Sequence, residues 1–540
     1  MRALSPRGAV LLRFSSLFAA ALLAAVPAHA AQIAETIAPN RLVVVYRPGN
    51  IPADAETQIT LAGAHLTSRL DRFGMVAVST DAVNSALTQA KLAAQPGVAA
   101  VLHDRLVTAH AMMIALPRNA TPQLIAEPGI LPGIIAPEPI LTNYPINTIR
   151  FPTSSDTYYA SPQGWAVQQA GGLGDNVRTG SSTAPTTGPW NISRGAGVRI
   201  AVLDSGVDAT HPDIAPNLAF NLSEINQSPE TGYPSACDDG SPQDQEGHGT
   251  WTASLAAGAL GSGTGAVVGV APQATILNIK VLERLPGTGT TTAATCENGQ
   301  AGGLLSWVLQ GINDAVANHA DVISMSLGTL VDITTGDGAG WQAQFDAVTY
   351  AAAQSGTIIV AAVGNDGLNL SPSGTNSRYI ELPAQARSVL PVVASTNPAC
   401  AENLATNATC APGPITMPYY SNYGVPNSIA APGGSYPEGA DTAISGYVRG
   451  ACSSGLINTT DGLPTSGQSF GCFNLGHVLY VQAMGTSASA PLVAGAAAIL
   501  RAAHPTWTAT QIITTLQTSA TQLPTITTPV LNLPAALTLN

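Results

Sequence analysis

The sequence predicts an α/β fold: an open, mostly parallel sheet with helices on both faces, preceded by a small α+β domain. Three observations predict it. From residue 198 onward, apolar runs at 198–203, 275–281, 322–326, 358–363, 389–394 and 428–431 alternate with helical stretches at 250–257, 304–318, 341–354 and 487–503. Strands linked by helical crossovers give that alternation. Second, 540 residues with 45% apolar content supply a large core and more than one folding unit. Third, residues 40–108 read as a unit of their own. Strands at 42–46 and 73–78 precede a helix at 81–94 that Pro96-Gly97 stops, and a strand-like run at 98–106 follows.

In chain order, residues 1–30 read as a processing segment. Arg2, Arg7 and Arg13 precede the apolar run 17–26, and Ala28-His29-Ala30 forms an A-x-A cleavage site. That run is too short to span a bilayer, so a secreted chain, extracellular or periplasmic, with no transmembrane segment in its mature part is expected. The domains expected are a signal peptide at 1–30, a compact unit at 31–110, a Pro-rich linker at 111–160 and a large domain at 161–540. The eight prolines between 117 and 152 recur without period, as in an extended linker. Residues 172–190, rich in Gly, Ser and Thr, read as a surface loop.

Charge excludes one class of partner. Residues 111–540 carry 11 Lys+Arg against 26 Asp+Glu, and the only lysines are Lys91 and Lys280. With no basic stripe to meet phosphates, no nucleic-acid partner is expected. Cys237, Cys296, Cys400, Cys410, Cys452 and Cys472 suggest disulfides in an exported chain, and six thiols allow 15 connectivities. The nearness of Cys400 and Cys410 favours a small closed loop, leaving Cys452–Cys472 and Cys237–Cys296 as the other pairs.

Three residues carry candidate chemistry. Ser487, in Gly485-Thr486-Ser487-Ala488-Ser489, stands at the mouth of the last long apolar helix, beside free N–H groups and the positive end of its dipole. Pro491 is expected in that helix's first turn. Asp204 ends the first strand of the large domain, at the edge where open parallel sheets form their sites. His248 is flanked by Gly247 and Gly249, which let other groups approach its ring. Singly, an N-cap serine, a turn-forming aspartate and a structural histidine explain them. Together they supply a hydroxyl nucleophile, the base it needs and a carboxylate to orient that base.

The chain resembles the subtilisin-like serine proteases, the subtilases. The resemblance rests on Val202-Leu203-Asp204-Ser205-Gly206-Val207-Asp208 with His211-Pro212-Asp213, on Gly247-His248-Gly249-Thr250, and on Gly485-Thr486-Ser487. Ser326-Leu327-Gly328, Val363-Gly364-Asn365 and Gly269-Val270-Ala271-Pro272 add to it, and the order Asp…His…Ser is the one known from subtilisin. It implies a subtilisin-like open, mostly parallel sheet with helices on both faces. It also implies a secreted serine endopeptidase with Asp204, His248 and Ser487 as triad and Asn365 as oxyanion donor.

By the same resemblance, Ser326, Leu327 and Gly328 pair with an extended polypeptide substrate. Anchored on Pro383-Ala384, Glu381 falls at the base of the S1 pocket, where a carboxylate favours Lys or Arg at P1. No cofactor is implied for catalysis. A structural calcium ion is an option at Asp213, with oxygens from the loop 261–267. The unit 31–110 resembles the family's inhibitor propeptide, through Gln95-Pro96-Gly97-Val98-Ala99-Ala100-Val101 and Asp104. The chain's own propeptide is then an intramolecular inhibitor, removed by a cut within 106–114. The sequence departs from the family where Leu492 and Trp251 replace histidines outside the triad, and in enlarged loops near 284–300, 366–380 and 432–476.

Two rivals fit less well. α/β-Hydrolase esterases need G-x-S-x-G at a strand-to-helix elbow with Ser first of the three, and Ser487 has neither. A binding scaffold without activity predicts loss of a triad residue or of Asn365, and all four are present.

Overall fold

The computed structural model describes residues 37–47, 51–81, 83–110, 164–171, 188–225, 233–261, 267–297, 299–397, 415–435, 448–454 and 480–538. They belong to one compact unit that runs from Thr36. The segment 1–30, the linker 111–160, most of 172–190 and of 432–476, and Cys400, Cys410 and Cys472 lie outside the described residues.

In the N-terminal layer, β1 (Ile37–Tyr46), β2 (Ala64–Leu70), β3 (Met75–Thr80) and β4 (Val98–Ala109) pair antiparallel in the order β4-β1-β3-β2. Helices Ala55–Ala62 and Ser85–Ala93 cover one face. Successive side chains on a strand point to opposite faces. Here Leu42, Val44, Tyr46, Val76 and Val78 pack with Ile59 and Leu92 of those helices, while Val43, Val45, Met75 and Ala77 enter the main core. The middle strands β1 and β3 are therefore buried on both sides, which is why 42–46 and 75–78 read as unbroken apolar runs.

The helix expected at 81–94 begins only at Ser85. Asp81 turns the chain first: its carboxylate accepts from Val83 N (3.1 Å) and its carbonyl from Asn84 N (3.0 Å). β4 runs three residues past its expected end at Leu106. The partners of that extension come from the later chain, so no local pattern marks it.

The alternating region supplies β5 (Arg199–Asp204), β6 (Leu218–Ser223) and β7 (Thr275–Lys280), then β8 (Leu282–Leu285), β9 (Gln300–Leu304), β10 (Val322–Met325), β11 (Leu327–Asp332), β12 (Ile358–Ala362), β13 (Tyr379–Leu382), β14 (Val389–Ser395), β15 (Ile429–Pro432), β16 (Val448–Ala451), β17 (Tyr480–Ala483), β18 (Thr521–Leu523) and β19 (Ile526–Val530), and nine of these strands form the second sheet. The described order of this second sheet is β18-β19-β15-β14-β12-β10-β5-β7-β6, parallel except at β18–β19. Every residue of β10, β12 and β14 is buried. The six predicted strands all appear, each within a residue or so at its ends. Off this sheet, β9 and β11 pair with β4, β8 pairs with β9, β13 with β11, and β16 with β17.

The helix Thr486–Ala503 packs on β10, β12, β14 and β15, with residues 486–501 all buried. Among the described residues it is the one helix long and apolar enough to cross a membrane, and 89% of it is buried in the fold. It stops at His504, before Pro505, as expected. Pro491 is not in the first turn: it is the sixth helical residue, so its missing N–H removes the donor to the Ser487 carbonyl. The Ser326 hydroxyl takes that place, donating to Ser487 O at 2.9 Å.

Candidate active site

Asp204 closes β5 at the carboxyl edge of the sheet and is 1% exposed. Its carboxylate accepts from His248 Nδ1 (2.6 Å), Ser205 N (2.7 Å) and Thr252 Oγ1 (3.0 Å). His248 opens the helix His248–Ala257, and buried Asp244 ties down the turn before it. The Asp244 carboxylate accepts from Gly247 N, Thr250 N, Thr250 Oγ1 and Ser205 Oγ, at 2.6–2.9 Å. Gly249 is required by approach: a Cβ there would fall 2.0 Å from the Gly206 carbonyl oxygen. Trp251 meets the His248 ring edge-on, with centroids 5.8 Å apart. Burial works to lower the His248 pKa, but the carboxylates of Asp204, Glu246 and Asp244 outweigh it and hold the imidazole above its ordinary value.

Ser487 is the second residue of its helix and is fully buried. That helix packs against the one headed by His248. The Ser487 hydroxyl donates to the Ser326 carbonyl at 3.1 Å. Asn365, beyond the end of β12, accepts with Oδ1 from Thr486 N and Thr486 Oγ1, both at 3.0 Å, which fixes its amide with Nδ2 outward. Ser487 N and Asn365 Nδ2 both donate to one acceptor, the carbonyl oxygen of His110; the first bond is 3.3 Å long.

His110 follows the last residue of β4. That strand leaves the N-terminal layer and enters a groove between β9 and β11: Leu106, Val107 and Thr108 pair antiparallel with Leu304, Gly303 and Gly302, and Thr108 and Ala109 with Gly328 and Leu327. His110 N donates to Ser326 O at 3.0 Å. The segment 326–328, expected to bind extended chain, thus pairs with the end of β4. Glu381, on β13, is 1% exposed, with His110 Nε2 3.1 Å from its Oε1. Burial pushes its carboxyl up to about 7, His110 pulling downward and Asp366 upward.

Residues 195–532 match the family model described as the subtilase family. The chain belongs to the subtilase family. It is 30% identical over 331 residues to subtilisin amylosacchariticus of Bacillus subtilis subsp. amylosacchariticus, covering 61% of this chain and 62% of that protein's length. It is 31% identical over 331 residues to a subtilisin of Bacillus pumilus, covering 61% of this chain and 86% of that one. Among solved structures, fervidolysin of Fervidobacterium pennivorans superposes with a TM-score of 0.58 at 19% identity, over 93% of this chain and 61% of that one. EpiP of Staphylococcus aureus gives 0.56 at 16% identity, over 92% and 97%. At such identities these two bear on fold alone.

Sequence reasoning about this subtilase missed Asp244, Thr252 and His110; the last two act through segments far apart in the chain, and Asp244 mainly through the turn that leads to His248. Asp244-Gln245-Glu246, directly before Gly247-His248, was the available signal for the first. Cys237 and Cys296 are joined, with Cα atoms 5.1 Å apart, and Cys452 is also disulfide-bonded. Asp213, the candidate calcium ligand, accepts from Val267 N at 3.2 Å, and residues 262–266 lie outside the described residues. Among the described residues no cluster of three or more His, Cys, Asp or Glu side chains is set to hold a metal.

Proposed function

We propose that the chain is an exported serine endopeptidase, hydrolysing peptide bonds in polypeptide substrates through an acyl-enzyme, with Asp204, His248 and Ser487 as its triad. It is made as a zymogen in which the unit 31–110 is the intramolecular inhibitor. The observation that carries this reading is the end of β4, held as an extended chain with one carbonyl between two donors at Ser487. Export is supported by the basic and apolar pattern of residues 1–30.

In the reaction, His248 takes the Ser487 hydroxyl proton as the oxygen attacks the carbonyl carbon, and Asp204 stabilises the imidazolium. Asn365 Nδ2 and Ser487 N meet the oxyanion, in a setting where both donors are already fixed. His248 then gives its proton to the leaving amine, and water frees the acyl group. β9 and β11 hold the substrate on either side by strand pairing.

The test is active-site titration with an organophosphonate. Stoichiometric labelling of Ser487, lost in Ser487→Ala, is expected; an unlabelled protein of native fold sinks the reading.

A pH profile gives a second expectation. The base must be neutral, and an imidazolium whose pKa is raised gives up its proton only above the ordinary imidazole value of 6.5. The acid limb of kcat/KM should therefore have its midpoint above 6.5. Glu246, whose carboxylate accepts from His248 N at 2.9 Å, contributes to that rise. Glu246→Gln should move the limb toward acid, and an unmoved or alkaline-shifted limb contradicts the charge argument.

A further inference from the structure

We infer that the pocket beneath the Ser487 oxyanion donors is built for a histidine side chain, so that the chain first cuts itself between His110 and Ala111 and prefers histidine at P1 in other polypeptides. The inference rests on the peptidase reading above.

Depth decides it. The Glu381 carboxylate closes the pocket, buried to 1% exposure, and the His110 imidazole already reaches it, with Nε2 3.1 Å from Oε1. The walls have no slack. A Cβ on Gly328 would lie 2.3 Å from Glu381 Oε1 and 2.6 Å from His110 Cε1, and one on Gly364 would lie 3.3 Å from Glu381 Oε2. Lysine and arginine carry their charge farther from Cα than histidine carries Nε2. Either would have to fold back or displace the buried carboxylate. Leucine offers no polar atom to the Glu381 carboxyl group, whereas the imidazole brings Nε2 to 3.1 Å from its Oε1, and a buried polar group with no polar neighbour is costly.

The ring chemistry agrees. His110 Nδ1 has no hydrogen-bond partner among the described residues, and it is Nε2, 3.1 Å from Oε1, that faces the Glu381 carboxyl group. His110 is also in register for cleavage. Its carbonyl oxygen is the atom held by Ser487 N and Asn365 Nδ2, and its N–H is paired to Ser326.

The step balances as hydrolysis. The Ser487 Oγ–carbonyl carbon bond of His110 forms and the bond to the Ala111 nitrogen breaks. The hydroxyl proton passes through His248 to that nitrogen. Water then releases Ser487 and leaves a carboxylate on His110.

Two measurements test it on the full chain, expressed in a protease-deficient host. Mass spectrometry of the first N-terminal fragment released should find it ending at His110. Matched peptides with His, Arg, Lys or Leu at P1 should give kcat/KM for His about tenfold or more above each of the others. Glu381→Gln, which still offers an acceptor but no charge, should shrink that margin while Ser487 still takes an organophosphonate. A first fragment ending elsewhere, or Arg, Lys or Leu cleaved as well as His by a labelled enzyme, overturns the inference and leaves the peptidase reading standing. No cleavage and no labelling overturns both.

Discussion

Replacing Ser487 with alanine should leave the full-length chain uncut and lower kcat on any peptide by the order of a millionfold, the loss known from subtilisin when its serine is removed. No neighbour can substitute. Ser489, two residues on in the same helix, projects to a different face and is fully buried. The fold should survive, because the hydroxyl gives up one hydrogen bond, to Ser326 O, worth about 1 kcal/mol. The oxyanion donors and the pairing of β4 with β9 and β11 are untouched, so the N-terminal layer should stay docked. The check is a gel of the variant made in a protease-free host, beside the same variant mixed with wild type. Processing of the variant alone at the wild-type rate would mean that another enzyme makes the cut.

What the sequence disclosed, and what it withheld, divides along local and long-range lines. The sheet was legible because β10, β12 and β14 are covered on both faces, and burial of that kind leaves unbroken apolar runs. Asp204, His248 and Ser487 were legible because each needs a close approach of backbone, which small residues permit; Gly249 against the Gly206 carbonyl is the clearest case. The resemblance to the family, anchored on Pro383-Ala384, set Glu381 at the base of the S1 pocket, and its side chain is buried. What it faces did not follow, because the partner is His110, more than 250 residues earlier.

The end of β4 was hidden for the same reason. Nothing within residues 98–110 distinguishes the part paired to β1 from the part paired to β9 and β11. The buried polar groups of the 238–246 loop were equally silent. Lys280 donates to Asp238 (2.8 Å) and to the Gln243 carbonyl (3.0 Å), yet the sequence marks it only as one of two lysines. Such groups are stabilised by partners brought from elsewhere, and a buried lysine without them would be strongly disfavoured.

Asn365→Ala should lower kcat by about 10²–10³, the range known for removing the equivalent kind of donor in subtilisin. The physical basis here is that the amide is set before the reaction begins. Asn365 Oδ1 holds Thr486 N and Oγ1 at 3.0 Å, so Nδ2 needs no reorientation as negative charge grows on the carbonyl oxygen. A donor that strengthens its bond in the transition state affects kcat more than KM. Alanine has a second effect, since it also releases Thr486, and a shifted helix start would blur the reading. Asn365→Asp separates the two: it keeps the acceptor for Thr486 and turns an oxygen toward the developing oxyanion. If the lost donor is what matters, Asp should lose at least as much kcat as Ala, with Ser487 still buried in an intact helix. If Asp retains wild-type kcat while Ala does not, Asn365 serves to anchor Thr486 and the oxyanion rests on Ser487 N alone.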